Sequence, residues 1–188
     1  MKGKAWSGDG WLEGVRWVHS PNFGIRPAAT EVSLVVIHNI SLPPGKFGGD
    51  AVERLFTNRL DPRAHPYYAA LAGLQVSAHF FLRRTGEVVQ FVAADARAWH
   101  AGASSWRGRP ECNDFSIGIE LEGTDDRPCT VLQYRRLNTL MRALCRRYPI
   151  RDVAGHSHVA PGRKTDPGPL FDWVGLRTHF PELTIPRE

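Results

Sequence analysis

From Val32 to Ile40 the chain reads VSLVVIHNI, almost continuously apolar and β-branched until His38 and Asn39. A run this short and this apolar predicts a strand buried on both faces of a sheet. After the turn-rich SLPPGKFGG, DAVERLFTNRL places Val52, Leu55, Phe56 and Leu60 on one helical face behind Asp50. That predicts a short helix with an aspartate cap. A second helical stretch is predicted over YYAALAGL. In LQVSAHFFLRR, Val76, Ala78, Phe80 and Leu82 alternate against Ser77, His79 and Phe81, the pattern of a half-polar strand. RTGE then turns the chain into VVQFV, which predicts a hairpin. The next connection, DARAWHAGASSWRGRPECND, is long and carries aromatics, as loops that hold binding groups do.

Alternation returns in FSIGIELEG, with Phe115, Ile117, Ile119 and Leu121 facing one way and Ser116, Gly118, Glu120 and Glu122 the other. Thr130 and Gln133 predict a capping box for a helix whose apolar stripe runs through Leu137, Leu140, Met141, Leu144 and Tyr148 up to Pro149. VAG reads as a brief edge strand and FDWVGLRTHF as a closing helix. No repeat, low-complexity tract or linker interrupts this order. It predicts one α/β domain over residues 1–188, with a core over about residues 10–175 and a central mixed sheet flanked by helices.

Composition narrows the class. A chain of 188 residues can bury a core without disulfides. Cys112, Cys129 and Cys145 are odd in number and contain no Cys-x-x-Cys pair, so neither a bridge framework nor a thiolate metal site is expected. The stretch MKGKAWSGDGWLEGVRW lacks the apolar centre of a signal peptide, and no segment approaches the roughly 18 apolar residues of a membrane span. The expectation is a soluble cytoplasmic protein with no membrane partner. Lys and Arg number 24 against 19 Asp and Glu, a net charge of +5 that favours anionic partners. The basic residues are scattered rather than striped and no nucleic-acid motif accompanies them, so no nucleic-acid partner is expected.

The chemistry concentrates in GHSHVAPGRKTDPGP, Gly155 to Pro169, where proline and glycine impose a stiff, irregular backbone that displays polar side chains. A zinc hydrolase needs three ligands drawn from His, Asp or Glu and one open position. His156 and Asp166 supply two candidates and His38, at the polar end of the apolar strand, a third. Each has an ordinary alternative: a structural strand-end histidine for His38, a cap of the last helix for Asp166. Amide hydrolysis also needs a proton carrier and a cation near the developing oxyanion. Glu120, a carboxylate on an otherwise apolar strand, fits the first role or a salt bridge, and Lys164 fits the second or an ordinary surface position. Glu122, nearer the strand end, reads as solvated.

Taken together, VVIHNISLPPG, RAWHAG, CNDFSIGIELEGTD and GHSHVAPGRKTDPG resemble the cytoplasmic anhydro-N-acetylmuramyl-L-alanine amidases, the AmpD proteins, within the superfamily of zinc amidases and peptidoglycan-recognition proteins. The resemblance runs from about Gly10 to Trp173. It implies Zn2+ held by His38, His156 and Asp166, a proton-transferring Glu120, a transition-state Lys164, and an anhydro-muropeptide substrate cut between the lactyl group and L-alanine. Asn39, Trp99 and His100 resemble substrate-cleft positions; Trp99 also fits a core role and His100 a loop-stitching one. Retention of all five catalytic positions argues against a non-catalytic muropeptide-binding module. His158 stands where relatives carry an aspartate, so the bond that carboxylate makes must be altered or replaced. Gln75 and Glu111 stand where some relatives carry arginines that would grip stem-peptide carboxylates. His65, His79 and His179 read as structural or exposed, with His79 the nearest of the three to the cleft.

Overall fold

The computed structural model describes residues 6–187. In chain order the elements are β1 (Arg16–Trp17), β2 (Phe23–Gly24), β3 (Leu34–Ile40), α1 (Ala51–Phe56), α2 (Pro66–Ala69), β4 (Phe80–Leu82), β5 (Val88–Gln90), β6 (Arg97–Ala98), β7 (Ser105–Trp106), β8 (Arg109–Pro110), α3 (Cys112–Phe115), β9 (Ser116–Glu122), α4 (Val131–Arg147), β10 (Asp152–Gly155), α5 (His156–Val159) and α6 (Trp173–His179). Six strands form the central sheet in the order β1-β5-β4-β9-β3-β10. Only the β4–β5 hairpin pairs antiparallel; β4, β9, β3 and β10 run parallel, so their carboxyl ends share one edge.

Residue alternation decides what covers each face. Val35 and Ile37 of β3, Ile117, Ile119 and Leu121 of β9 and Val153 of β10 pack against Leu137, Leu140, Met141 and Leu144 of α4 and Leu176 of α6. The other face has two patches. Phe81 and Val89 meet Val52, Leu55 and Phe56 of α1, whereas Leu34, Val36 and Ala154 meet Ala101, Cys112, Phe115 and Val159. The strand positions with polar side chains, His38 and Glu120, lie on this second face.

The sheet, its hairpin and the α4 capping box follow the sequence pattern, and four details differ. Asp50 stands at the start of α1 but its side chain makes no cap; it accepts from Arg54 Nε at 2.8 Å instead. Left-handed Asn58 ends α1 before Leu60, which packs on the core from outside the helix. YYAALAGL is helical only through Ala69, behind a His65 ring that accepts from the Tyr67 amide. The stretch expected to be half-polar is buried on both sides, Ser77 and His79 included, because the Arg97–Phe115 connection folds over it.

Candidate metal centre and cleft

Parallel pairing at the carboxyl edge of the sheet is where open α/β sheets place ligands, and here it assembles the predicted residues. His38 of β3 is the register partner of Glu120 on β9, and Gly155 of β10 pairs with Ile37, so His156 follows immediately beside His38. Gly155 is needed for the turn into α5: a Cβ there would lie 2.7 Å from Pro167 Cδ. The loop after α5 closes back through Ser157, whose amide donates to Asp166 O at 2.9 Å.

The result is a triangle. His38 Nδ1 lies 2.9 Å from His156 Nδ1 and 3.2 Å from Asp166 Oδ2, and His156 Nδ1 lies 3.1 Å from the same oxygen. His156 Nε2 faces Ala101 O at 3.1 Å. A carbonyl can only accept, so the ring's proton sits on Nε2 and its Nδ1 turns a bare lone pair into the triangle. Burial drives the His38 pKa down to about 4, despite the opposing pull of Asp166, so this ring is neutral. Burial pushes the Asp166 carboxyl up, but its polar contacts with His156 and His38 outweigh it and hold the group below the usual range. Two ring nitrogens and a carboxylate oxygen converging with edges near 3 Å form a donor set that a cation would hold together. The edges suit a tetrahedral ion with bonds of about 2.0–2.1 Å, whose ligands stand about 3.3 Å apart. Among the described residues this is the group of His, Cys, Asp and Glu fit to hold a metal ion.

A cleft of about 450 Å³ opens over the triangle, with Glu120, Lys164, Asn39 and His100 in its lining and Leu42, Leu55, Leu71 and Leu74 on its apolar wall. Glu120 is buried and its Oε2 has no hydrogen-bond partner. Burial raises its proton affinity well above the usual carboxylate range; Asp166 adds to this and Lys164 opposes it. Lys164 is exposed and makes no ion pair among the described residues.

The structure departs from the expected substrate positions. Trp99 is not in the cleft lining: its amide donates to the Ser77 hydroxyl and its indole Nε1 lies beside Gly24 of β2. Asn39 lines the cleft, but its amide is engaged with Asp125 Oδ1 at 2.7 Å and Pro167 O at 3.0 Å. His100 is a stitching residue as well as a lining one, 3.0 Å from His38 Nε2. Glu122, expected in solvent, is buried and accepts from the Gly48 and Arg84 amides, because the loop after β3 folds over the end of β9. At His158 the ring itself makes the bond: its Nδ1 accepts from the Gly155 amide at 3.0 Å and its ring stands edge-on to Trp173. Gln75 lines a smaller cavity alongside the cleft, and Glu111 pairs with Arg97. Asn113 and Arg163, which the sequence did not single out, hold the segment behind both histidines; the proximity of RAWHAG to CND was the available signal.

Residues 28–169 match the family of N-acetylmuramoyl-L-alanine amidases. The chain is 56% identical over 171 residues to the 1,6-anhydro-N-acetylmuramyl-L-alanine amidase AmpD of Citrobacter freundii, covering 90% of this chain and 91% of that one. A crystal structure of a selenomethionine AmpD derivative superposes with a TM-score of 0.90 at 54% identity, over 93% of this chain and 99% of that one. The Escherichia coli amidase AmiD, solved with anhydro-N-acetylmuramic acid-L-Ala-D-gamma-Glu-L-Lys as substrate, superposes with a TM-score of 0.59 at 30% identity, over 82% of this chain and 60% of that one. With its matched segment spanning the whole site and most of the sheet, this chain belongs to the N-acetylmuramoyl-L-alanine amidase family.

Proposed function

We propose that this chain is a single-domain, zinc-dependent amidase of the cytoplasm that hydrolyses the amide between anhydro-N-acetylmuramic acid and L-alanine in anhydro-muropeptides during peptidoglycan recycling. The observation that carries the reading is the convergence of three bare ligand atoms, an unpartnered buried carboxylate and an exposed lysine on one cleft. No helix among the described residues is long and apolar enough to cross a membrane.

His38, His156 and Asp166 would hold the ion, which when bound acidifies water and polarises the scissile carbonyl. Glu120 takes a proton from the attacking water and gives it to the leaving nitrogen, leaving a lactyl carboxylate and the free amine of L-alanine. Its raised proton affinity suits both halves of that transfer, since an ordinary carboxylate is a weak base near neutral pH. The Lys164 ammonium faces the oxygen on which negative charge grows. A binding module would need none of these three properties together.

The test is mass spectrometry of anhydro-muropeptide incubated with zinc-loaded and with chelated protein. The expected products are anhydro-N-acetylmuramic acid-terminated sugar and a stem peptide with a free L-alanine amine, formed only by the loaded protein. Substrate recovered intact from both would overturn the enzymatic reading and leave the binding module.

A further inference from the structure

Both candidate imidazole ligands are held from behind by one dipeptide. The direction of one set of bonds follows from its far end. Cys112 O can only accept, so Ser116 Oγ donates to it at 2.5 Å and must itself accept from His100 Nε2 at 3.1 Å. With its proton on Nε2, His100 presents a bare Nδ1, which accepts from His38 Nε2 at 3.0 Å. That leaves the His38 lone pair on Nδ1, inside the triangle. The neighbouring residue serves the other ligand, since Ala101 O accepts from His156 Nε2.

The dipeptide is fixed by a side chain in neither the triangle nor the cleft lining. Asn113 Oδ1 accepts from the His100 amide at 3.1 Å and from the Ala101 amide at 2.8 Å. Arg163 reaches over from the ligand loop to Ala101 O at 2.6 Å and Ala103 O at 2.7 Å. Below, the His100 ring rests on Gly118 so closely that a Cβ there would lie 2.4 Å from its Cγ, and the His79 ring braces it from the side.

We propose that His100–Ala101, locked by Asn113, is the positioning element that aims the Nδ1 atoms of both His38 and His156 at the metal, so that Asn113 sets metal affinity without touching a ligand. The proposal rests on the zinc reading above. Groups that orient ligating histidines are worth about 10- to 100-fold in metal affinity when removed.

Zinc affinity by competition with a chromophoric chelator, together with the visible spectrum of the Co2+-loaded protein, tests it on the parent, Asn113→Ala, Asn113→Asp and Ser116→Ala. Asn113→Ala is expected to bind zinc about 10- to 100-fold more weakly with an altered Co2+ spectrum, and Asn113→Asp, which keeps an oxygen for both amides, to restore both. Ser116→Ala removes the acceptor for His100 Nε2–H without crowding the core, and is expected to weaken zinc and change the spectrum in the same sense if Asn113→Ala does not fold. Folded variants with parental zinc affinity and an unchanged spectrum would overturn the clamp. A parent protein that takes up no stoichiometric zinc would instead overturn the metal reading.

Discussion

Glu120 and Lys164 are separated by their environments as much as by their charges. Glu120 is sealed on a strand with one oxygen unpartnered, whereas Lys164 stands at the surface of the loop that carries Asp166. Burial disfavours the Glu120 charge, so Glu120→Gln, neutral at the same size, should leave the fold as stable or more so. It should retain zinc and lose turnover by about 10²-fold or more, because the amide cannot carry the proton. Equal loss of metal and activity, by elemental analysis beside kinetics, would make Glu120 structural. Lys164→Ala should lower kcat more than it raises KM, by about 2–4 kcal/mol in the barrier, the scale for one lost oxyanion donor. Lys164→Arg should recover part of that, since a planar guanidinium does not occupy the point of a compact ammonium; an effect confined to KM would make Lys164 a substrate-holding residue. At this scale the sequence revealed which residue types could meet, because Glu120 and His38 interrupt apolar strands where a polar side chain needs a reason. It did not reveal partners. Glu122 departs from its expected exposure because what buries it is a loop folding over a strand end, and local alternation carries no information about that contact.

Among the elements, all but the shortest are legible in the sequence. β3 shows as a nearly unbroken apolar run and β9 and α4 repeat their period often enough to be read, whereas β1, β2, β6, β7 and β8 are two residues each and have no pattern to read. The capping box of α4 was read correctly from Thr130 and Gln133, yet its larger role lies outside the helix. Gln133 is fully buried, and its Nε2 donates to Leu82 O and Glu122 O, the last residues of β4 and β9. Thr130 Oγ accepts from the Gln133 amide and donates to Arg84 O. The box therefore rivets α4 to the strand ends from which the Glu120 edge is built. In an isolated helix the Thr cap dominates; here the order reverses. Thr130→Ala should cost about 1–2 kcal/mol, and Gln133→Ala about 3 kcal/mol, since it strands two buried carbonyls and one amide. Urea unfolding of the two variants checks the order, and a Gln133→Ala loss no larger than that of Thr130→Ala would show that water replaces the rivet.

Across the whole molecule, His79 joins parts that are distant in sequence. Its amide donates to Gly118 O, its carbonyl accepts from Phe91, its Nδ1 accepts from the Gly118 amide at 2.9 Å, and its Nε2 faces Ala96 O at 3.0 Å. Both ring positions are thus committed to the neutral form. Burial, and then the charge of Arg26, push its pKa down to about 3, against a smaller upward pull from Ala96. In the unfolded chain the ring titrates near 6.5. Above 6.5 neither state is protonated at this site and the full stability is present. As pH falls from about 6.5 toward 3, the unfolded chain takes up a proton that the folded one refuses, so stability declines by about 1.4 kcal/mol per pH unit for this ring. His38, pushed down to about 4, adds a similar slope down to that pH in metal-free protein. His79→Gln keeps an acceptor for Gly118 and a donor for Ala96 while removing the titration. In zinc-free protein its unfolding free energy should therefore vary with pH between 6 and 4 with a slope shallower than the parent's by about one proton. Parallel slopes for parent and variant would show that the acid sensitivity resides in other buried groups such as His38 and His100, and that the ring joining hairpin, sheet and covering loop is a packing piece rather than a titrating one.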